Sequence, residues 1–371
     1  MKEFGSALLG AAIGLLAVLY FIFYPESWSL GMIVSMALYA LASFALTVFI
    51  HEAGHALFGI SQGMKVLNIS VGPLVLERHG GKFHFHYIPS SLGYVGRAMM
   101  GFSEKLNLED MRSRLIRYIY GGPLMNIGIS ILSITAAFSV WHHPFLLIFG
   151  LMNFLLGASN LKPATVKSVF TDGLVIQKLK TEPLHESALL MGHQILLEES
   201  RNTDVKQWDS ALIDTVEQLI TSGKDPSATS FLHTINYFHL PKHAEKAASI
   251  GHQTAFTRTG KTDDLYADIA DISYATALLF TGRLASHPGI ENALQSIGTL
   301  DAITDTKRNA FLSYIQGDTQ NAVLLLKKAI ELLGVWHPLY LRGEMEKRLL
   351  YQMIDWIEKE NTLELQPTIG S

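Results

Sequence analysis

The first 161 residues carry apolar runs of near-bilayer length, and this more than anything else limits what the chain can fold into. "GSALLGAAIGLLAVLYFIFY" (Gly5 to Tyr24) is the first. A second starts near Leu30 and continues through His51 to about Ile60. A third runs from about Leu115 to Val140, and "FLLIFGLMNFLLGASNL" (Phe145 to Leu161) is the fourth. A signal peptide is the competing reading of the first run, but the run is long and lacks a clear small-residue cleavage site. Hydrophobic residues make up 49% of the 371, and mean hydropathy is +0.23. The excess lies in the first half; the second half is polar, charged and helix-patterned. We therefore expect a mainly α protein in two parts: a polytopic membrane helix bundle of about four spans over residues 1–180, and an all-helical domain over 181–371.

Charge sets the expected orientation. Lys65, Arg78, Lys82, Arg97, Lys105, Arg112, Arg114 and Arg117 lie between the second and third runs, and Lys162, Lys167, Lys178 and Lys180 follow the fourth. The turns at Pro25–Leu30 and Trp141–Pro144 contain no Lys or Arg. The positive-inside rule then predicts a multi-pass cell-membrane protein with both termini cytoplasmic. A formal net charge of -4 gives a nucleic-acid partner no electrostatic support. There are no cysteines, so disulfides and thiolate metal sites are excluded, and any metal must be held by His and carboxylate groups.

"HEAGH", His51 to His55, ends the second run toward its cytoplasmic side. Helical residues four apart share a face, so His51 and His55 can chelate one ion with Glu52 beside them. Two imidazoles and a proton-accepting glutamate form the zinc-hydrolase signature. The alternative is a helix end whose polar residues reach the membrane interface. Ionisable groups at membrane depth are costly and usually functional, which favours the metal. A catalytic zinc needs a third protein ligand, and "NLKPATVKSVFTDG" (Asn160 to Gly173) is the downstream candidate segment.

Taken together, these segments resemble the site-2 protease family of intramembrane zinc metalloproteases. The resemblance covers about Ile33 to Lys180. In that family a membrane HExxH is followed by an Asn-x-x-Pro…Asp-Gly segment, matched here by Asn160, Pro163, Asp172 and Gly173. It implies that His51, His55 and Asp172 hold Zn2+, and that Glu52 is the catalytic base. Thr171 and the insert "ATVKSVFT" depart from the family's Leu-Asp-Gly and its shorter, proline-rich approach. Asp172 could also cap the helix that "TDGLVIQKLK" begins. "YGGPLMN" (Tyr120 to Asn126) resembles the family's Gly-Pro-x-x-Asn segment. Gly121, Gly122 and Pro123 there allow either close backbone approach or a packing kink. "VLNISVGPLVLERHGGKFHFHYIPSSLGYVGRAMM" resembles its membrane-associated β-hairpin, ending in Gly93, Tyr94 and Val95. An edge strand between Leu67 and Tyr87 would pair with an extended substrate. Asn126 and Asn160 are candidates for binding substrate backbone or supporting the oxyanion.

His84 and His86 alternate with Phe83, Phe85 and Tyr87 and so share one strand face. That face reads as a polar wall beside the cavity, with a second metal site as the alternative. His142 and His143 fall in the outer turn. In the second half, Gly317, Ala322 and Ala329 have tetratricopeptide-like spacing, echoed more loosely around Gly282; an ordinary helical bundle is the other reading. Trp336, Tyr340 and Trp356 read as core. Such a domain offers a surface for a cytoplasmic protein partner. The sequence thus predicts a zinc metalloendopeptidase that cleaves single-span membrane proteins or membrane-bound peptide remnants. A catalytically inactive relative acting as a membrane adaptor is the alternative, and a transporter with broken helices at Gly122-Pro123 and Asn160–Pro163 is a third.

Overall fold

The computed structural model describes residues 29–79, 82–88, 95–141, 143–166, 169–201, 204–240, 243–255, 265–336 and 343–364. The expected first span, Gly93, Tyr94, His142 and Tyr340 lie outside these, as does the Trp336 side chain. The protein is mainly helical and divides into two compact units, Met1–Leu190 and Met191–Ser371.

Three helices form the frame of the first unit: α1 (Leu30–Ser61), α2 (Leu108–Ser139) and α3 (Pro144–Leu161). Among the described residues these three are long and apolar enough to cross a membrane. Each begins on a side chain that satisfies free backbone amides. Ser29 accepts from Met32 N–H, Asn107 from Asp110 N–H at 2.8 Å, and His143 from Phe145 N–H with Pro144 in the first turn. The Asn107 cap starts α2 at Leu108, ahead of the expected Leu115. Pro123 lies inside α2, but the helix continues through it to Ser139. At 1.5 Å per residue, the 32 residues of α1 reach about 48 Å, more than a hydrocarbon core needs. Leu38, Leu41, Leu46 and Phe49 face outward, whereas Ser43, Thr47, His51 and His55 are buried. A stripe of polar residues four apart thus points into the bundle.

Helices α1 and α2 meet through glycine. A Cβ on Gly54 would stand 2.5 Å from Gly121 O, and one on Gly121 would stand 2.5 Å from Gly54 O. The two backbones touch because neither residue has a side chain, a form of helix contact well suited to membranes.

Between α1 and α2 the chain forms β1 (Met64–Val71), β2 (Leu74–His79), β3 (Lys82–Tyr87) and β4 (Gly96–Phe102). The expected hairpin is therefore part of a four-stranded antiparallel sheet in the order β3-β2-β1-β4. Of the expected edge segment Leu67–Tyr87, β3 is an edge of this sheet, whereas β2 and the overlapping part of β1 are interior; the other edge is β4. A register shift between Val66 and Asn68 marks a bulge in β1. Met64, Val66, Met100 and Phe102 are buried, and the Tyr118 hydroxyl donates to Ala98 O at 2.7 Å, which ties β4 to α2.

After α3 the insert folds back on itself. β5 (Thr165–Val166) pairs with β6 (Val169–Phe170), and α4 (Asp172–Thr181) follows at once. The helices α5 (Ala188–Ser200), α6 (Ser210–Ser222), α7 (Leu232–His239), α8 (Ala244–Thr254), α9 (Leu265–Phe280), α10 (Ile290–Ser296), α11 (Ala302–Ile315), α12 (Thr319–Trp336) and α13 (Gly343–Glu364) complete the described chain. α11 and α12 form a hairpin turned by Gly317 at φ +81°, with Ala322 and Ala329 fully buried. Lys307 and Glu346, both buried, pair at 2.7 Å, and Tyr237 donates to the same carboxylate. Trp356 is half-buried against Phe280.

The glycine contact sets a prediction. Gly54→Ala places a methyl against backbone, where nothing can rotate away. It should destabilise the purified protein by about 1–3 kcal/mol, read as a lowered thermal midpoint.

Candidate metal centre

His51 and His55 follow each other on one face of α1, and their ring nitrogens Nε2 lie 3.2 Å apart. The Asp172 Oδ2 atom comes to 3.1 Å from His51 Nε2 and 3.5 Å from His55 Nε2. A tetrahedral ion with bonds of about 2.0–2.1 Å spaces its ligands by roughly 3.3–3.4 Å. The three observed separations bracket that value. His51, His55 and Asp172 are also the one His/Cys/Asp/Glu group with metal-holding geometry among the described residues.

Each donor is positioned by its neighbours. His55 Nδ1 lies 3.2 Å from Tyr118 O, closer than its 3.4 Å from Gly122 N. A proton on Nδ1 given to that carbonyl leaves Nε2 with a free lone pair. Asn160 Nδ2 lies 3.2 Å from His51 Nε2. Asp172 arrives through the fold-back. The Thr171 hydroxyl bonds Lys162 O at 2.7 Å and accepts from Ala164 N–H at 3.0 Å and Leu174 N–H at 3.4 Å. Thr171, not Asp172, is therefore the helix cap, which corrects the capping alternative and leaves the Asp172 carboxylate to the histidines. Gly173 allows this approach: a Cβ there would stand 2.0 Å from Leu161 O. Burial pushes the Asp172 carboxyl up, but the two imidazoles beside it prevail and hold it at about 2, so it is ionised at neutral pH.

Glu52 is buried next to this triad, and its carboxylate bonds the Ala98 backbone in β4. A Cβ on Gly96 would lie 2.5 Å from Glu52 Oε1. The sheet edge beside the carboxylate is thus β4, outside the expected Leu67–Tyr87 segment. Gly122 faces the triad directly: a Cβ there would lie 2.5 Å from His55 Nε2 and 2.9 Å from His51 Cε1. Of the two readings of these glycines, close backbone approach holds. Asn126, one turn on, is fully buried, with both side-chain polar atoms lacking a protein partner. On β3, His84 is exposed and His86 lies 3.3 Å from Glu77, away from any three-donor group among the described residues.

Comparison with known sequences agrees with this geometry. The sequence model of peptidase family M50 matches residues 39–334. The chain belongs to this family. M50 is the site-2 protease family, so the chain is a membrane metalloprotease by descent, and its substrate is a protein in the membrane. The match runs well past Lys180, so the helical second unit is largely inside the family match. Searches of characterised proteins and of solved structures found no match.

Several contributors were not singled out from sequence. Tyr118 signals itself only as a phenol in an apolar helix that needs a partner. Gly96 and Gly54 carry no signal beyond being glycine next to a motif. Gly122→Ala tests the centre. Its methyl enters the ligand sphere, and metal affinity should fall by at least about 10–100-fold, read by elemental analysis of the purified protein.

Proposed function

We propose that this M50 member is a zinc-dependent intramembrane endopeptidase that cleaves single-span membrane proteins or membrane-bound peptide remnants near the cytoplasmic leaflet. The observation that carries this reading is the ligand-like spacing of His51, His55 and Asp172 beside buried Glu52. Orientation follows from the basic residues around α2 and after α3, which favour both termini on the cytoplasmic side. Residues 1–180 would be the protease domain and 181–371 a cytoplasmic helical domain able to receive a protein partner.

His51, His55 and Asp172 would hold the zinc ion, which would supply Lewis-acid chemistry and an acidified water at neutral pH. The chain's own groups do the rest. Glu52 takes the water proton and delivers it to the leaving amine. An extended substrate adds to the free edge of β4, where bare Gly96 leaves room for its backbone next to Glu52. Asn160 donates to the same nitrogen of His51 that the ion requires. The Asn160 amide thus stands at the centre itself, where it can donate to the oxyanion. Asn126 is walled off by Gly157, whose Cβ position lies 3.2 Å from Asn126 Cβ. It would act on the substrate site through water.

Two variants test these roles on a single-span substrate in bilayers. Glu52→Gln should lower turnover by about 10²–10⁴-fold with metal content unchanged. Asn160→Ala should lower it by about 10²–10³-fold, again with metal retained. Full turnover in Glu52→Gln, or a Glu52→Gln cell that keeps every phenotype of the parent, would favour the adaptor instead.

A further inference from the structure

The buried polar groups of the bundle do not stop at the metal centre. Ser43, Thr47 and His51 follow one another at four-residue steps along α1, and all are buried. Asn153 on α3 donates from Nδ2 to Thr47 Oγ1 at 2.9 Å, and also to Phe149 O at 2.8 Å. Two turns further along α3, Asn160 meets His51. Gly157 lies between these two asparagines and packs against Asn126 of α2. The three helices thus contribute to one polar seam that leads from His51 away from the cytoplasmic end of α1.

The seam contains more hydrogen-bonding capacity than the protein fills. Ser43 Oγ, Asn153 Oδ1, and both Nδ2 and Oδ1 of Asn126 have no protein partner, and all three residues are 0% exposed. In hydrocarbon each such group costs several kcal/mol. Interhelical adhesion accounts for Asn153–Thr47 but not for Asn126, which bonds nothing. Buried polar groups of this kind are the usual partners of internal water, which makes two to four bonds at each site. Beyond Ser43 the character changes: Ala40, Ile148 and Met152 form an apolar cluster joined by Met36, Tyr39 and Phe44. No polar side chain of the seam continues through it.

We propose that the seam holds ordered water, bound by Asn126, Asn153 and Ser43, that is continuous with the metal centre and sealed by the Ala40–Ile148–Met152 cluster. It is a blind reservoir. Water enters only from the metal end, so the centre keeps a supply of its second reactant without opening a path through the membrane. The supply role rests on the hydrolase reading; the existence of the hydrated seam does not.

The absence of native cysteine makes the test direct. Single substitutions Ser43→Cys, Thr47→Cys and Ala40→Cys are introduced into the full chain, purified, and titrated with silver ion. A thiol forms the reactive thiolate only where water reaches it. Ser43→Cys, a near-isosteric change, should react about tenfold or more faster than Ala40→Cys, because hydration lowers a thiol's pKa and apolar burial raises it. Thr47→Cys replaces it if the first variant does not fold. Met152→Cys, in the same apolar cluster, replaces Ala40→Cys on the same ground. Ser43→Cys or Thr47→Cys as silent as the apolar control would overturn the proposal. Ala40→Cys reacting as fast as Ser43→Cys would overturn the seal. The readout is thiol chemistry, so a preparation that cleaves nothing still answers the question, and failure of the seam is distinguishable from failure of the protease assignment.

Discussion

Two imidazole nitrogens and a carboxylate oxygen within hydrogen-bond distance of one another, inside a helix bundle, are the constraint on which the first unit depends. Each of these atoms can present a lone pair, and lone pairs repel. In a medium that solvates charge poorly, such a cluster is held together by a shared positive centre or it comes apart. A divalent ion would provide that centre. The surrounding fold is best understood as what places the three atoms close enough to need one.

Much of that placement is achieved by side chains that are missing. Gly54 and Gly121 let α1 and α2 touch backbone to backbone, Gly122 leaves the ring nitrogens uncovered, and Gly173 lets α4 press against the end of α3. Gly96 does the same for β4 over Glu52. A methyl at any of these positions would collide with backbone or with a side chain, including His55 and Glu52 of the candidate centre. The larger groups then fix orientation: Tyr118 holds His55 through its carbonyl and β4 through its hydroxyl, and Thr171 ties the fold-back through three hydrogen bonds.

The helices and the donors were legible from sequence because their signals are local. An apolar run has a length, and His-x-x-x-His has a helical spacing, so α1, α3 and the His51–His55 pair could be read directly. Asp172 required a resemblance, since nothing local distinguishes a ligand from a cap; the structure gives the capping to Thr171 next door. The insert at Ala164–Phe170 was harder. Its two-residue strands are too short to show alternation, yet their pairing is what returns Asp172 to the histidines. Strand order was also hidden. Four short strands can pair in several ways, and only the β1–β4 pairing brings Gly96 to Glu52. The polar seam could be suspected from lone amides in apolar helices, but which of them lack partners depends on three-helix packing.

The length of α1 has a consequence for the lipid. The helix is longer than the hydrocarbon it would cross, and the donor pair sits within about 9–15 Å of its C-terminal end. Such a helix tilts or overhangs to suit its surroundings. With α1 across a bilayer, the depth of the donor pair below the headgroups would be shared property: a thicker bilayer would draw it inward, a thinner one would lift it toward the aqueous phase. On the proposed function, membrane thickness would reach the His51–His55 pair directly through α1.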